Sequence, residues 1–276
     1  MVSSLVMTQR MPNDLEYLPS LSLPDAGEIF TAWKARSAAA KARLSHGAEL
    51  RYGSHPREVM DFYPALNPRG CLVFIHGGYW LGFSKDETCF VAEGFVPQGF
   101  SVALFNYPLC PEVKIADIRT SCASALRHLA GKVLSAQERR AVIASGHSAG
   151  GHLVAALLAD ATTAPMLKGV VSLSGVFDVG PLMQTSLNTG LRLDEAQAKA
   201  LNLIADTPKG PCQLVLAVGE LESAEFHRQS TDLATSWRNL SPRLVDVPGT
   251  HHFTIVDELA KEGGALNRLA VAMAQS

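Results

Sequence analysis

Gly146, Ser148 and Gly150 stand in a G-x-S-x-G spacing that closes an apolar run at 141–144 and opens an Ala/Leu-rich stretch through Asp160. A serine on so sharp a strand-to-helix turn carries its hydroxyl clear of the backbone. Glycines two residues before and after it remove Cβ clashes, and a helix N-terminus lies beneath the hydroxyl. Ser148 is therefore the candidate nucleophile. A second apolar run, 71–75, leads straight into His76-Gly77-Gly78-Tyr79-Trp80. Serine attack on an acyl carbon creates a tetrahedral oxyanion that needs preorganised N–H donors, and a Gly-Gly turn is bare enough to point its amides at one. The donors are assigned to the backbone of Gly78, Tyr79 and Ala149, with His76 bracing the loop rather than acting as a base.

A serine hydroxyl is a poor nucleophile at neutral pH, so an imidazole must take its proton and a carboxylate must orient that imidazole. The strand, elbow and helix resemble the α/β-hydrolase arrangement, whose chain order is Ser, then an acid after a later strand, then His near the C-terminus. Of nine histidines, His251 and His252 come late enough. His252 is preferred because it directly precedes Phe253 at the start of the next helix, which leaves His251 on the rim of the site. The apolar run 213–218 passes through Gly219 into a loop carrying Glu220, Glu222 and Glu225. Glu222 is preferred, three residues beyond the glycine, where the loop has turned back toward the histidine. Glu220 and Glu225 remain alternatives, one of them a carboxylate at a helix N-terminus. Asp178 reads as a structural turn residue.

These groups need a scaffold that brings distant loops to one edge. Apolar runs recur at 71–75, 101–105, 141–144, 169–173, 213–218 and 243–247, with helical stretches at 87–98, 115–131, 149–160 and 224–239 and a closing pair at 255–261 and 264–274. This alternation predicts an α/β fold: a mostly parallel sheet with helices on both faces. Short alternating runs at 49–52 and 58–63 predict a leading antiparallel hairpin. The 276 residues fit one domain, 1–276. Within it, 1–45 reads as an N-terminal arm lying on the domain, its aromatic residues shielding the site or simply packing on the surface. The pattern breaks at 177–207, where a small lid insert is expected.

The formal net charge of −2 and the absence of a basic stripe argue against nucleic acid and for a small-molecule substrate. The first dozen residues lack the pattern of a secretory signal, and no apolar run of ~20 residues suits a membrane. Five widely spaced cysteines read as thiols in a reducing cytoplasm. No CxxC or HExxH spacing suggests a metal, and serine chemistry requires no cofactor. A homodimer through an edge strand or the C-terminal helix is compatible with the sequence.

Six segments carry a family resemblance: His76-Gly77-Gly78-Tyr79-Trp80, Tyr107-Pro108-Leu109-Cys110-Pro111, Gly146-His147-Ser148-Ala149-Gly150-Gly151-His152, Ser174-Gly175-Val176-Phe177-Asp178, Glu225-Phe226-His227-Arg228-Gln229-Ser230 and His252-Phe253. Spanning about 52–253, they resemble the arylformamidase (kynurenine formamidase) branch of α/β-hydrolases, close to the hormone-sensitive-lipase-like esterases. The resemblance implies hydrolysis of N-formylkynurenine, related aryl formamides or small esters through a seryl acyl-enzyme. Two positions depart from the family: Cys110 often is alanine there, and Glu222 commonly is aspartate. Tyr79 and Trp80 are expected to wall an aromatic group, with Tyr107 and His251 nearby in the pocket. Two rival functions are a short-acyl carboxylesterase and a ligand-binding module that kept the fold and lost catalysis.

Overall fold

A computed structural model describes residues 10–44 and 46–275, so the first nine residues of the expected arm lie outside the described residues. The apolar runs become eight strands: β1 Ala48–Arg51, β2 Val59–Tyr63, β3 Gly70–Ile75, β4 Phe100–Phe105, β5 Val142–His147, β6 Gly169–Leu173, β7 Gln213–Gly219 and β8 Arg243–Val247. They form one sheet in the order β1-β2-β4-β3-β5-β6-β7-β8. The β1–β2 and β2–β4 pairs are antiparallel and the rest parallel. The helices are α1 Asp14–Tyr17, α2 Ala26–Arg43, α3 Ile115–His128, α4 Ala149–Ala159, α5 Asn188–Leu191, α6 Glu195–Leu201, α7 Ala224–Ser236, α8 Ile255–Ala260 and α9 Ala265–Met273.

The two-residue period of β3 divides the core. Cys71, Val73 and Ile75 face a cluster with residues of α3, α4 and α7, whereas Leu72 and Phe74 face one with residues of α2, α8 and α9. Burial on both faces explains why the central strands read as continuous apolar runs. β3 pairs with β4 on one side and β5 on the other. The chain thus reverses its winding between β3 and β5, and a crevice opens beyond their carboxyl ends.

Three expected elements differ. The helix expected at 87–98 is instead a pair of 3-10 turns, Cys89–Gly94 and Val96–Gln98. Pro97 has no N–H to give, and Gly94 sits so close to α8 that a Cβ there would lie 2.2 Å from the Ala260 carbonyl. β5 runs on to His147, beyond the apolar residues, because Ser145 donates its hydroxyl to the Val171 carbonyl at 2.8 Å and so is satisfied inside the sheet. The α-helical geometry of α3 stops at His128, and a π turn, Leu129–Val133, carries on from there.

Residues 177–207 form a 3-10 turn, Gly180–Gln184, followed by α5 and α6. They are stitched to α1: Asn13 donates to the carbonyls of Gln184 and Pro181, and buried Asp14 accepts the Ser186 N–H at 2.7 Å. Among the described residues no helix is long and apolar enough to cross a membrane.

Candidate active site

Ser148 joins β5 to α4 at φ 55°, ψ −117°, a backbone state that costs a non-glycine residue about 1–3 kcal/mol. Close packing holds it there. A Cβ on Gly146 would lie 2.2 Å from the Gly150 carbonyl oxygen, and one on Gly150 2.0 Å from that of Ile75. Both glycines are therefore dictated by close approach, β3 pressing against the first turn of α4. The Ser148 N–H donates to Leu173 O at 2.8 Å, while its buried Oγ bonds no group among the described residues.

The loop after β3 is equally constrained, with φ of 99° at Gly78, 50° at Tyr79 and 57° at Trp80. Among the described residues nothing accepts the N–H of Gly78 or Tyr79, and that of Ala149, at the start of α4, has no intrahelical partner. The loop lies against the elbow, since a Cβ on Gly77 would come within 3.1 Å of that of Ser148. Beneath the loop, the Tyr107 ring stacks on His76 at 4.2 Å and donates its hydroxyl to the carbonyls of His76 and Gly77 at 2.9 and 3.2 Å. Burial pushes the His76 imidazole down to about 3, so it is neutral and its Nδ1–H donates to Gly77 O at 2.8 Å.

Across the crevice, His252 Nδ1 lies 2.7 Å from Glu222 Oε2, with side-chain exposures of 3% and 1%. The other carboxylate oxygen accepts the Ser174 hydroxyl at 2.5 Å and the Gly219 N–H at 2.8 Å. Glu222 donates its own N–H to Gly219 O, a tight turn that folds the carboxylate back over the end of β7. Its neighbours are engaged elsewhere: Glu220 accepts the Gly249 N–H, and Glu225 binds Arg228 and the Tyr17 hydroxyl. Asp178 accepts the Gly180 N–H in a local turn. His147 donates Nε2–H to the His252 carbonyl at 2.6 Å, tying the histidine loop to the elbow; burial, then the neighbouring His252, holds His147 well below the usual range.

A narrow cleft of about 30 Å³ reaches His252 and Glu222, with Phe226 and His251 inside and Leu15, Glu16 and Leu23 as its outer wall. Of the three pocket residues expected beyond the oxyanion loop, His251 alone lines it. Trp80 and Tyr107 are fully buried: Trp80 sets its ring edge against His152 at 5.3 Å, and Tyr107 supports the loop from below. Tyr107 follows β4 beneath the loop and Trp80 turns inward against His152, so both rings belong to the core rather than to a pocket wall. Tyr79 keeps its ring partly exposed and its hydroxyl buried without a partner among the described residues. Burial, and then the charge of Glu222, raise its pKa, so the phenol remains a donor. Sequence reasoning missed Ser174 and His147 as a tether. Ser174 had a usable signal, since it ends a parallel strand at the same edge as the other groups.

Residues 72–249 match the family described as alpha/beta hydrolase fold. The chain is 29% identical to the kynurenine formamidase of Salmo salar over 88% of its own length and 87% of that protein, and 29% identical to that of Danio rerio over 94% of each. It is also similar to a crystal structure from Silicibacter sp. tm1040 described as a "putative thioesterase". That match has a TM-score of 0.85 at 28% identity and covers 96% of this chain and 100% of that one.

Proposed function

The chain belongs to the α/β-hydrolase fold family and is a hydrolase, and from that premise we propose that it cleaves small aryl formamides through an acyl-enzyme on Ser148. The observation that carries this reading is the buried Glu222–His252 pair, tied through His147 to the elbow on which the Ser148 Oγ is left without a partner among the described residues. His252 Nε2 takes the Ser148 proton as Oγ bonds to the formyl carbon. The carbonyl oxygen becomes an oxyanion held by the N–H groups of Gly78, Tyr79 and Ala149, while Glu222 stabilises the imidazolium. His252 then protonates the departing arylamine nitrogen as the C–N bond breaks. Water, deprotonated by the same imidazole, attacks the formyl ester, releasing formate and free serine. No cofactor enters these steps.

The similarity to kynurenine formamidases supports an aryl formamide such as N-formylkynurenine. In this reading 177–207 is a lid and the N-terminal arm, through α1, is the outer wall of the leaving-group side. Five unpaired, buried cysteines fit a cytoplasmic setting, and a homodimer would use the edge of β8, where Leu244 is exposed; light scattering in solution tests the latter. A short-acyl carboxylesterase is the second reading, favoured by the thioesterase likeness, because esters pass through the same kind of tetrahedral intermediate.

A fluorophosphonate probe should label Ser148, and kcat/KM should be highest for N-formylkynurenine within a panel of formanilides, acetanilides and p-nitrophenyl esters. Labelling without turnover of any aryl formamide moves the assignment to the carboxylesterase. An unlabelled, inactive chain leaves the ligand-binding module.

A further inference from the structure

The loop 76–83 holds the proposed oxyanion donors in a costly shape, because Phe83 at φ 64° joins Gly78, Tyr79 and Trp80 in the left-handed region. Such a shape persists only where the surroundings over-determine it. The start of the loop is held by the Tyr107 hydroxyl on the carbonyls of His76 and Gly77. Its middle is held by the Cys110 N–H on Trp80 O at 2.8 Å. Its end has a different support. Arg57, from the turn between β1 and β2, donates from Nη2 to the Phe83 carbonyl at 2.7 Å.

The same guanidinium donates from Nε to the Tyr107 carbonyl at 2.8 Å and from Nη2 to Asn106 Oδ1 at 3.1 Å. Residues 106 and 107 follow β4 directly, and Tyr107 is the support of the loop's beginning. One planar fork therefore fixes the end of the loop to the platform beneath its start. Arg57 is half-buried, yet no carboxylate lies within ion-pair distance of it among the described residues. Its donors go to uncharged oxygens of the loop and the platform. A flexible Lys could not reproduce that fork, and removing the guanidinium would leave partly buried carbonyls short of a donor.

We propose that Arg57 is a positioning residue for the hydrolytic reaction, setting the distance between the loop carrying the Gly78 and Tyr79 amides and the elbow carrying Ser148. The inference rests on the Ser148 reading above. Arg57 touches neither substrate nor triad, so it acts on the stabilisation of the oxyanion and not on proton transfer.

The test uses the full chain with p-nitrophenyl acetate as substrate, phenylboronic acid as a mimic of the tetrahedral adduct, and fluorophosphonate titration to count active sites. In Arg57→Met, kcat per titrated site should fall about tenfold or more, since a displaced oxyanion donor acts on the transition state, while KM stays within about twofold. Affinity for the boronic acid should fall by the same factor as kcat. The pH profile of kcat/KM should keep its midpoint, because His252 and Glu222 are untouched, and millimolar guanidinium should restore part of the turnover in Arg57→Ala. A merely structural arginine would lower the melting temperature and the titratable fraction but leave per-site kcat and boronate affinity at parental values. That result, or a shifted pH midpoint, would overturn the proposal. If Arg57→Met gives no folded protein, Arg57→Lys decides by the same readouts, and parental kcat in that variant also overturns it. Failure of the Ser148 reading would appear separately, as a parent chain that neither labels at Ser148 nor hydrolyses the ester.

Discussion

Glu222 with His252, and Asp61 with Lys85, are acid–base pairs of similar burial, every side chain at 3% exposure or less. They differ in what is left over. Lys85 Nζ has three acceptors for its three protons, Glu49, Asp61 and Asp86, at 3.0, 3.0 and 3.2 Å. Asp61 is further engaged by Lys41 and the Tyr63 hydroxyl. That cluster is saturated and joins α2, β1 and β2. At the other pair, Glu222 is equally filled by Ser174, Gly219 and His252, but His252 Nε2 makes no hydrogen bond among the described residues. A saturated buried pair fixes structure. One that leaves a single nitrogen uncommitted, at the carboxyl edge of the sheet beside an elbow serine, has a proton site to use.

The most direct attempt to break this contrast removes the unsaturated side. Ser148→Ala and His252→Ala should each lower kcat by about 10⁶ with the fold retained, whereas His251→Ala stays near parental. Inactivity of His251→Ala alongside a near-parental His252→Ala would reverse the histidine assignment. Glu222→Gln should cost about 10⁴ in kcat, because an amide cannot stabilise the imidazolium, while Glu220→Gln and Glu225→Gln lose far less. Equal, mild losses in all three would place the acid elsewhere, with Asp178 next to be tested.

On the saturated side, Lys85→Met should cost about 3–5 kcal/mol in denaturant unfolding, since it leaves the buried Asp61 with only the half-exposed Lys41 as a counter-charge, and leave per-site turnover alone. Burial alone would lower the Lys85 pKa, but its carboxylate partners together outweigh it and hold the pKa above the ordinary 10.5. The stability it contributes is therefore fully present below that value and is lost as pH rises through the higher folded-state pKa. Parent and Lys85→Met should converge only in strong alkali, and equal unfolding midpoints at neutral pH would contradict the structural role. The last comparison concerns the length of the acyl group. Across p-nitrophenyl esters from acetate to octanoate, kcat/KM should fall, each unaccommodated methylene costing about 1–3 kcal/mol. A preference for octanoate would rule out a small acyl site.

What could be read in one dimension was whatever local spacing dictates. The G-x-S-x-G elbow, the Gly77-Gly78 turn and the alternation of apolar runs each express a constraint between near neighbours: Cβ clashes, φ above zero, and burial on both faces of a strand. That the central strands run parallel followed as well, because strands alternating with helices are joined by crossovers, whereas their order in the sheet did not. Glu222 was within reach because a short turn from Gly219 folds it back, which is again local. The tertiary structure alone decided which partners meet across long separations. Nothing near Arg57 marks it as a clamp on Phe83, nothing near Asp14 or Tyr17 places α1 against His252, and Trp80 and Tyr107 read as pocket walls until the sheet beneath them showed that they are floor. Such contacts depend on the packing of segments far apart in the chain, where any exposed-looking arginine or aromatic satisfies the local pattern equally well. Only the closed fold selects the oxygen that each guanidinium or hydroxyl meets.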